Sequence, residues 1–530
     1  MPSSYATSTH SSSVQTAQSI SQQIGSRVRN MAQLGQPTVD IELDEANHGP
    51  NAKYVTSYST MDEIKGTVHV TAQTDTRFED LEIAFIGETH VYVDRITSTP
   101  SLSGRTEATH RFLTLKQPLG RDDFPTPRIF LARKTYSFPF TFTIPTQLLP
   151  RACSHSVSSD HVRNTHLMLP PSLGDPSLAG FGGTLLDDLA PEMSKIVYGI
   201  KVRLASLRET DGTVYFLAEK FKKVRVKPAF EEQPPLTVDP SDQEYRIRQA
   251  KTIKKGLFKG KLGTLTAQSA QPKALVIPGA RTTGAPAITT MAKVLLRFDP
   301  ADESNPPPRL GSLATKMKVS TFFSSMPRPS FPTRSALSYD LTQGVYSETI
   351  NLSTLCIASA PWEKRSSSEN PASESLVRRD SGISDCSTGP TADDTFNAGI
   401  LPASKHYKGG PFYTAEILVP ITLPMTKNFL PTFHSCLVSR MYTLTLQLSA
   451  HAPGVADPSL GLKVPIQICA EGSDTGNENA RARNAEMRMV SEADDLLRPR
   501  SFAPPPPPMG VDDLPPRYAA FGQVGVANVR

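Results

Sequence analysis

The decapeptide YSFPFTFTIP at residues 136–145 puts Phe138, Phe140, Phe142 and Ile144 on one side of an extended chain and mostly polar residues on the other. A period of two suits a half-buried β-strand and fits no helix. The same alternation returns along the chain in GTVHV (66–70), LEIAFIGETHVYV (81–93, with Leu81, Ile83 and Phe85 on one face), KIVYGIKVRL (195–204) and VYFLAEKFKKVRV (214–226). Gly, Pro, Asp and Asn clusters separate the segments. Such a series predicts an all-β sandwich closing near Pro228.

A second series follows: KALVIP (273–278), AKVLLRF (292–298), KMKVSTFF (316–323), YSETINL (346–352), AEILVPITLP (415–424), SRMYTLTLQLSA (439–450) and LKVPIQICA (462–470). It predicts another sandwich of similar size, so the expected fold class is all-β with two tandem β-sandwich domains. Residues 1–36 are rich in Ser, Thr and Gln without periodicity and are expected to be disordered. The expected organisation is a first domain over 37–230, a linker over 231–245, and a second domain over 246–470 with a Ser/Asp/Pro-rich disordered insertion at 363–407. A flexible, Pro-rich tail over 471–530 completes it, its first part, NENARARNAEMRMVSEADDLL, having some helical potential.

Composition narrows function. The 530 residues carry 56 Lys and Arg against 51 Asp and Glu, a net charge of +5, too balanced for a nucleic-acid footprint, and aromatic residues make up only 7%. The 47 prolines are nearly double the usual share of about 5%, in keeping with extended tails beside folded domains. Five scattered cysteines without CxxC spacing read as reduced thiols. With no apolar run near 20 residues and no secretory leader pattern, a cytoplasmic protein is expected.

The tail carries the most specific motif, PPRY at 515–518 after a run of five prolines at 504–508. PPxY segments are ligands of WW domains: the prolines hold a polyproline II helix against an aromatic groove, and the tyrosine fills a neighbouring pocket. Pro515, Pro516 and Tyr518 are therefore the candidate WW-binding residues.

The order IAFIGETHVYV, YSFPFTFTIP, LPPSLGD (169–175), DDLAPEMSKIVYGIKVRL, then ILVPITLPMTKNFLPTFHSCLVSRMYTLTLQLS resembles the arrestin N and C domains over roughly residues 38–469. The chain is similar to the fungal-type α-arrestins, the arrestin-related trafficking adaptors. That resemblance implies an adaptor that links a WW-domain HECT-type ubiquitin ligase to plasma-membrane transporters or receptors, promoting their ubiquitylation and endocytosis. It also implies recruitment from the cytoplasm to the plasma membrane and endosomes. Many relatives carry several PPxY copies and this chain shows one, so avidity for tandem WW domains is absent. The alternative is an arrestin-like signalling scaffold coupling a membrane sensor to a pathway.

Other residues have secondary readings. Arg246, Arg248, Lys251, Lys254, Lys255, Lys259 and Lys261 make a basic stretch; Lys254, Lys255, Lys259 and Lys261 are candidate ubiquitin acceptors or contacts to anionic lipid, against a plain solvated face. Ser381, two residues after the Arg378–Arg379 pair, is the candidate phosphosite. Glu492 with Leu496 and Leu497 has the spacing of a dileucine signal for clathrin adaptors, and an amphipathic turn explains it equally. Cys153, His155, His161 and His166 gather zinc-type ligands in fourteen residues but match no known zinc module, so neither metal nor cofactor is expected. GLFKGKLG at 256–263 lacks phosphate-loop spacing, and no GxSxG or HExxH occurs, so no enzyme is expected.

Overall fold

The computed structural model describes residues 36–497 apart from 45–56, 96–103, 176–179, 182–183, 209, 240–241, 243, 256–259, 280–286, 370–399, 406 and 452–457. Most of the described chain is β-strand in several sheets, with few helices.

The first half contains β1 (Thr38–Leu43), β2 (Ser57–Tyr58), β3 (Glu63–Thr71), β4 (Thr76–Arg77), β5 (Asp80–Arg95), β6 (Gly104–Lys116), β7 (Ile129–Phe130), β8 (Thr135–Thr143), β9 (Gly180–Phe181), β10 (Thr184–Leu185), β11 (Ser194–Leu207) and β12 (Val214–Val226). One sheet runs β1-β3-β8 and another β2-β12-β11-β5-β6, antiparallel except for the β2–β12 pair. The alternating pattern explains the pairing of the two sheets. β1, β3 and β8 turn Ile41, Val68, Phe138 and Phe140 inward, and β5 and β11 supply Phe85, Tyr198 and Ile200 to the same buried cluster. Register is fixed because a one-residue slip would expose every one of these side chains.

Close approach at one strand crossing demands glycine. A Cβ on Gly66 in β3 would stand 2.2 Å from the Glu42 carbonyl oxygen of β1 and 2.7 Å from Cζ of Phe140. Gly66→Ala should cost about 1–3 kcal/mol, the usual penalty of overpacking. Equilibrium denaturation in urea reads it; an unchanged midpoint would mean that β1 and β3 do not meet here as described.

The second half contains β13 (Arg248–Lys254), β14 (Lys261–Ser269), β15 (Leu275–Ile277), β16 (Thr289–Pro300), β17 (Arg309–Ser324), β18 (Gln343–Cys356), β19 (Glu363–Arg365), β20 (Phe412–Thr422), β21 (Phe433–His434), β22 (Val438–His451), β23 (Ser459–Ile466) and β24 (Ile468–Ala470). One sheet is β13-β14-β16-β20-β19; the facing one is β18-β17-β22-β21 with β23 also paired to β22. Leu265, Leu296, Phe298, Val419, Met317, Leu444 and Leu446 form the core between them. β15 and β24 pair in parallel.

Part of the stretch expected as an insertion is ordered. Glu363–Arg365 pair with β20, and residues 400–405 lie on the sheet because the fully buried Arg297 donates from Nη1 to the Leu401 carbonyl at 2.6 Å. Two helices concern us: α1 (Asp160–His166), N-capped by Ser159, which accepts from Val162 N at 3.3 Å, and α2 (Asp474–Leu497). Contacts divide the chain into one compact unit through Asn479 and a second from Ala480 onward. Among the described residues no helix is long and apolar enough to cross a membrane.

Candidate functional site

Chemistry-bearing side chains collect where the two β lobes meet within the first compact unit. The first lobe's core is completed by residues from the second half: Phe323, Leu430, Phe433, Cys436, Leu437 and Val438. In return Leu189 enters the second core. The polar part of the seam is the turn at 187–190. Leu189 sits at φ +60°, a left-handed conformation costly for a branched residue. It is held there by Asp187 Oδ1, which accepts from Leu189 N at 2.8 Å, and by Asp188 Oδ1, which accepts from Ala190 N at 3.1 Å.

From the other lobe, fully buried Arg440 on β22 donates to the carbonyls of Asp188 (3.1 Å) and Leu189 (3.3 Å), and Lys427 pairs with Asp187 at 2.8 Å. Burial raises the Asp188 carboxyl pKa, against the opposing pull of the Gly174 N–H and Arg440. Bonds from the Lys427 ammonium and the Leu189 N–H hold Asp187 below its usual range, despite the opposing desolvation that is the largest single influence. A cleft of about 260 Å³, lined by Phe230, Pro235, Tyr245, Phe331 and Met441 among others, opens along the chain that crosses between lobes.

Below the seam lies a cysteine and histidine cluster. The chain leaving β8 makes a short 3-10 turn at Pro150–Cys153 and then α1, and these two turns bring Cys153, His155 and His166 together. Cys153 Sγ is 3.4 Å from His155 Nε2 and 3.7 Å from His166 Nδ1. The loop between β21 and β22 adds Cys436, whose thiol lies 3.7 Å from the Ala152 carbonyl. One donor atom from each of the four lies within 4.8 Å of the others. His161 stays outside. It faces the other way on α1 and meets the Phe331 ring at 5.4 Å. Three of the four residues, Cys153, His155 and His166, were thus legible from local spacing; Cys436 was not, because nothing in the sequence signals proximity to Cys153 across more than 280 residues.

Burial dominates the electrostatics of this cluster. Desolvation, with the charges of Arg328, His155 and Arg163, lowers the His166 pKa to about 4. Desolvation and the neighbouring Cys153 hold the Cys436 thiol well above its usual value. Arg328 is fully buried beside them, and loss of solvent pulls its guanidinium down to about 10. Nearby His434, half-buried, is pushed down to about 3, first by desolvation and then by Arg328.

The remaining sequence candidates are placed as follows. Lys254, Lys255 and Lys261 are exposed around the β13–β14 turn, while Lys259 lies outside the described residues. Of the same basic stretch, Arg248 donates to the Pro402 carbonyl at 2.9 Å and Lys251 to the Ser459 carbonyl at 3.2 Å, so both are used within the fold. Ser381 and the PPRY residues Pro515, Pro516 and Tyr518 lie outside the described residues. Glu492 is exposed on α2; the side chains of Leu496 and Leu497 lie outside the described set. No family model matches this chain, and no curated protein matches it.

Proposed function

We propose that this chain is an α-arrestin-type adaptor that holds a WW-domain HECT-type ubiquitin ligase beside membrane transporters or receptors, so that the ligase modifies them and they are internalised. In this reading the two β lobes are arrestin-like N and C sandwiches, and catalysis belongs to the ligase. The observation that carries it is PPRY at 515–518, set in a proline-rich segment that follows an all-β body. Prolines pre-order the extended conformation that a WW groove accepts, which lowers the entropy lost on binding. The seam supports the same role: a turn gripped by Arg440 and Lys427 fixes one lobe against the other, giving a surface of constant shape for a cargo tail. Exposed Lys254, Lys255 and Lys261 are within this proposal acceptors for ubiquitin or contacts to anionic lipid.

Pull-down of the purified chain on the WW domains of a HECT ligase tests the assignment. Wild type should be retained, and Tyr518→Ala should weaken retention more than tenfold while leaving the circular dichroism spectrum unchanged. Equal retention of both proteins would overturn the ligase reading and favour a signalling scaffold, whose loss would silence a pathway with transporter levels at the surface unaltered.

A further inference from the structure

We propose that Cys153, His155, His166 and Cys436 bind a single structural Zn²⁺ that fastens the two β lobes to each other. Two sulfurs and two imidazole nitrogens are the donor set that a borderline-soft, tetrahedral ion takes in closed structural sites. Geometry agrees with the chemistry. With Zn–S near 2.3 Å and Zn–N near 2.0–2.1 Å, neighbouring donors of a tetrahedron stand about 3.3–3.8 Å apart. The two measured edges, 3.4 Å from Cys153 Sγ to His155 Nε2 and 3.7 Å from Cys153 Sγ to His166 Nδ1, fall in that range. The four donors all lie within 4.8 Å, so closing on an ion needs side-chain shifts of about 1 Å.

The surroundings are arranged as supporting contacts of a metal site usually are. His155 Nδ1 lies 3.0 Å from the Ser156 carbonyl; with the proton on Nδ1, Nε2 keeps its lone pair toward the cluster. Arg163 Nη1 donates to the Cys153 carbonyl at 2.8 Å and pins that ligand's backbone. The competing explanation is a set of buried neutral thiols and imidazoles bonded to one another, which are weak acceptors for the N–H groups of the neighbouring Arg328. Its guanidinium is buried, bonds Ser439 Oγ through Nη2 at 2.7 Å, and leaves Nε and Nη1 without a hydrogen-bond partner. Buried N–H groups without an acceptor are costly, the more so on a charged side chain.

Arg328 N also donates to the Cys436 carbonyl at 3.0 Å, which fixes this arginine beside the Cys436 loop. Zn²⁺ binding displaces a proton from each thiol to solvent, and the two thiolates offset the charge of the ion, leaving a neutral centre whose sulfurs accept hydrogen bonds better than thiols do. His155 is the one half-exposed member and marks the side from which an ion enters. The inference is independent of the ligase reading, since it rests on the seam and not on the tail.

Zinc content of the full-length chain, measured after dialysis against Zn²⁺ and then metal-free buffer, tests it. One zinc per chain is expected for wild type and for His161→Ala; Cys153→Ser and Cys436→Ser should each retain less than a tenth of that. Should either serine variant fail to fold, wild type reconstituted with Co²⁺ decides. Intense visible absorption of tetrahedral cobalt with thiolate charge-transfer bands supports the site, and the weak spectrum of octahedral aqueous cobalt overturns it. Chelation should lower the temperature at which the lobes come apart, and added Zn²⁺ should restore it. Wild type that keeps no zinc, or His161→Ala losing zinc as completely as Cys436→Ser, would also overturn the proposal.

Discussion

Tyr198→Ala is expected to lower unfolding free energy by about 4–5 kcal/mol, and Tyr198→Phe by about 1–2 kcal/mol, the first from a large-to-small core change and the second from a lost buried hydrogen bond. The Tyr198 ring is fully buried at the centre of the first core, stacked at 5.9 Å on Phe85 and edge-on at 5.4 Å to Phe112. Its hydroxyl donates to the Pro170 carbonyl at 2.5 Å, tying β11 to the loop that follows α1. No solvent reaches the ring, so truncation leaves a cavity that its close-packed neighbours cannot collapse to fill. Urea unfolding followed by tyrosine fluorescence and by circular dichroism gives both numbers. A loss in the alanine variant no larger than in the phenylalanine variant would show that ring packing contributes nothing here.

The second large effect is expected at Arg297 and Asp299 on β16. Both are buried; Arg297 Nε lies 2.7 Å from Asp299 Oδ1, and the guanidinium stacks 4.0 Å over Phe412 and 5.0 Å from the Tyr407 ring. Asp299 Oδ2 accepts from Ser404 N at 2.8 Å. Asp299→Ala strands a buried cation and should cost about 3–5 kcal/mol. The double change Arg297→Met with Asp299→Leu should recover most of it, because desolvation of the pair offsets much of its attraction. Urea unfolding of the three proteins separates the outcomes, and hydrogen exchange at Ser404 should quicken in both variants, which lack its Asp299 acceptor. Equal stability of the single and double variants would show that the ion pair is not the controlling contact.

Strand content was readable where one face is buried and the other wet. VYFLAEKFKKVRV coincides with β12, and the cores of β3, β5, β8, β11, β16, β17, β20 and β22 all lie within segments marked by alternation. β6 and β14 escaped. β6 carries GRTEATHRFLTLK, in which only Phe112 and Leu113 are buried, so polar residues occupy most of a strand held by its pairing with β5. β14 has a nearly continuous buried pattern and begins inside a glycine- and lysine-rich run that reads as a loop. LKVPIQICA looked like one strand and is two, divided at Gln467, whose side chain bonds back to Gln233. In the Cys and His cluster Cys436 alone was missed, for a related reason: local spacing reports on turns, and a residue contributed by a distant lobe leaves no local trace.

The borrowing of Phe433, Cys436, Leu437 and Val438 by the first core has a consequence for synthesis. A ribosome delivers about 5–20 residues per second, so the roughly 200 residues between the first lobe's own last strand and these contributors take about 10–40 s to appear. Throughout that interval the nascent first lobe lacks part of its apolar core, leaving the kind of surface that chaperones cover and that pairs wrongly with neighbouring chains. Slower translation between residues 227 and 438 prolongs that exposure and should therefore lower the yield of folded chains.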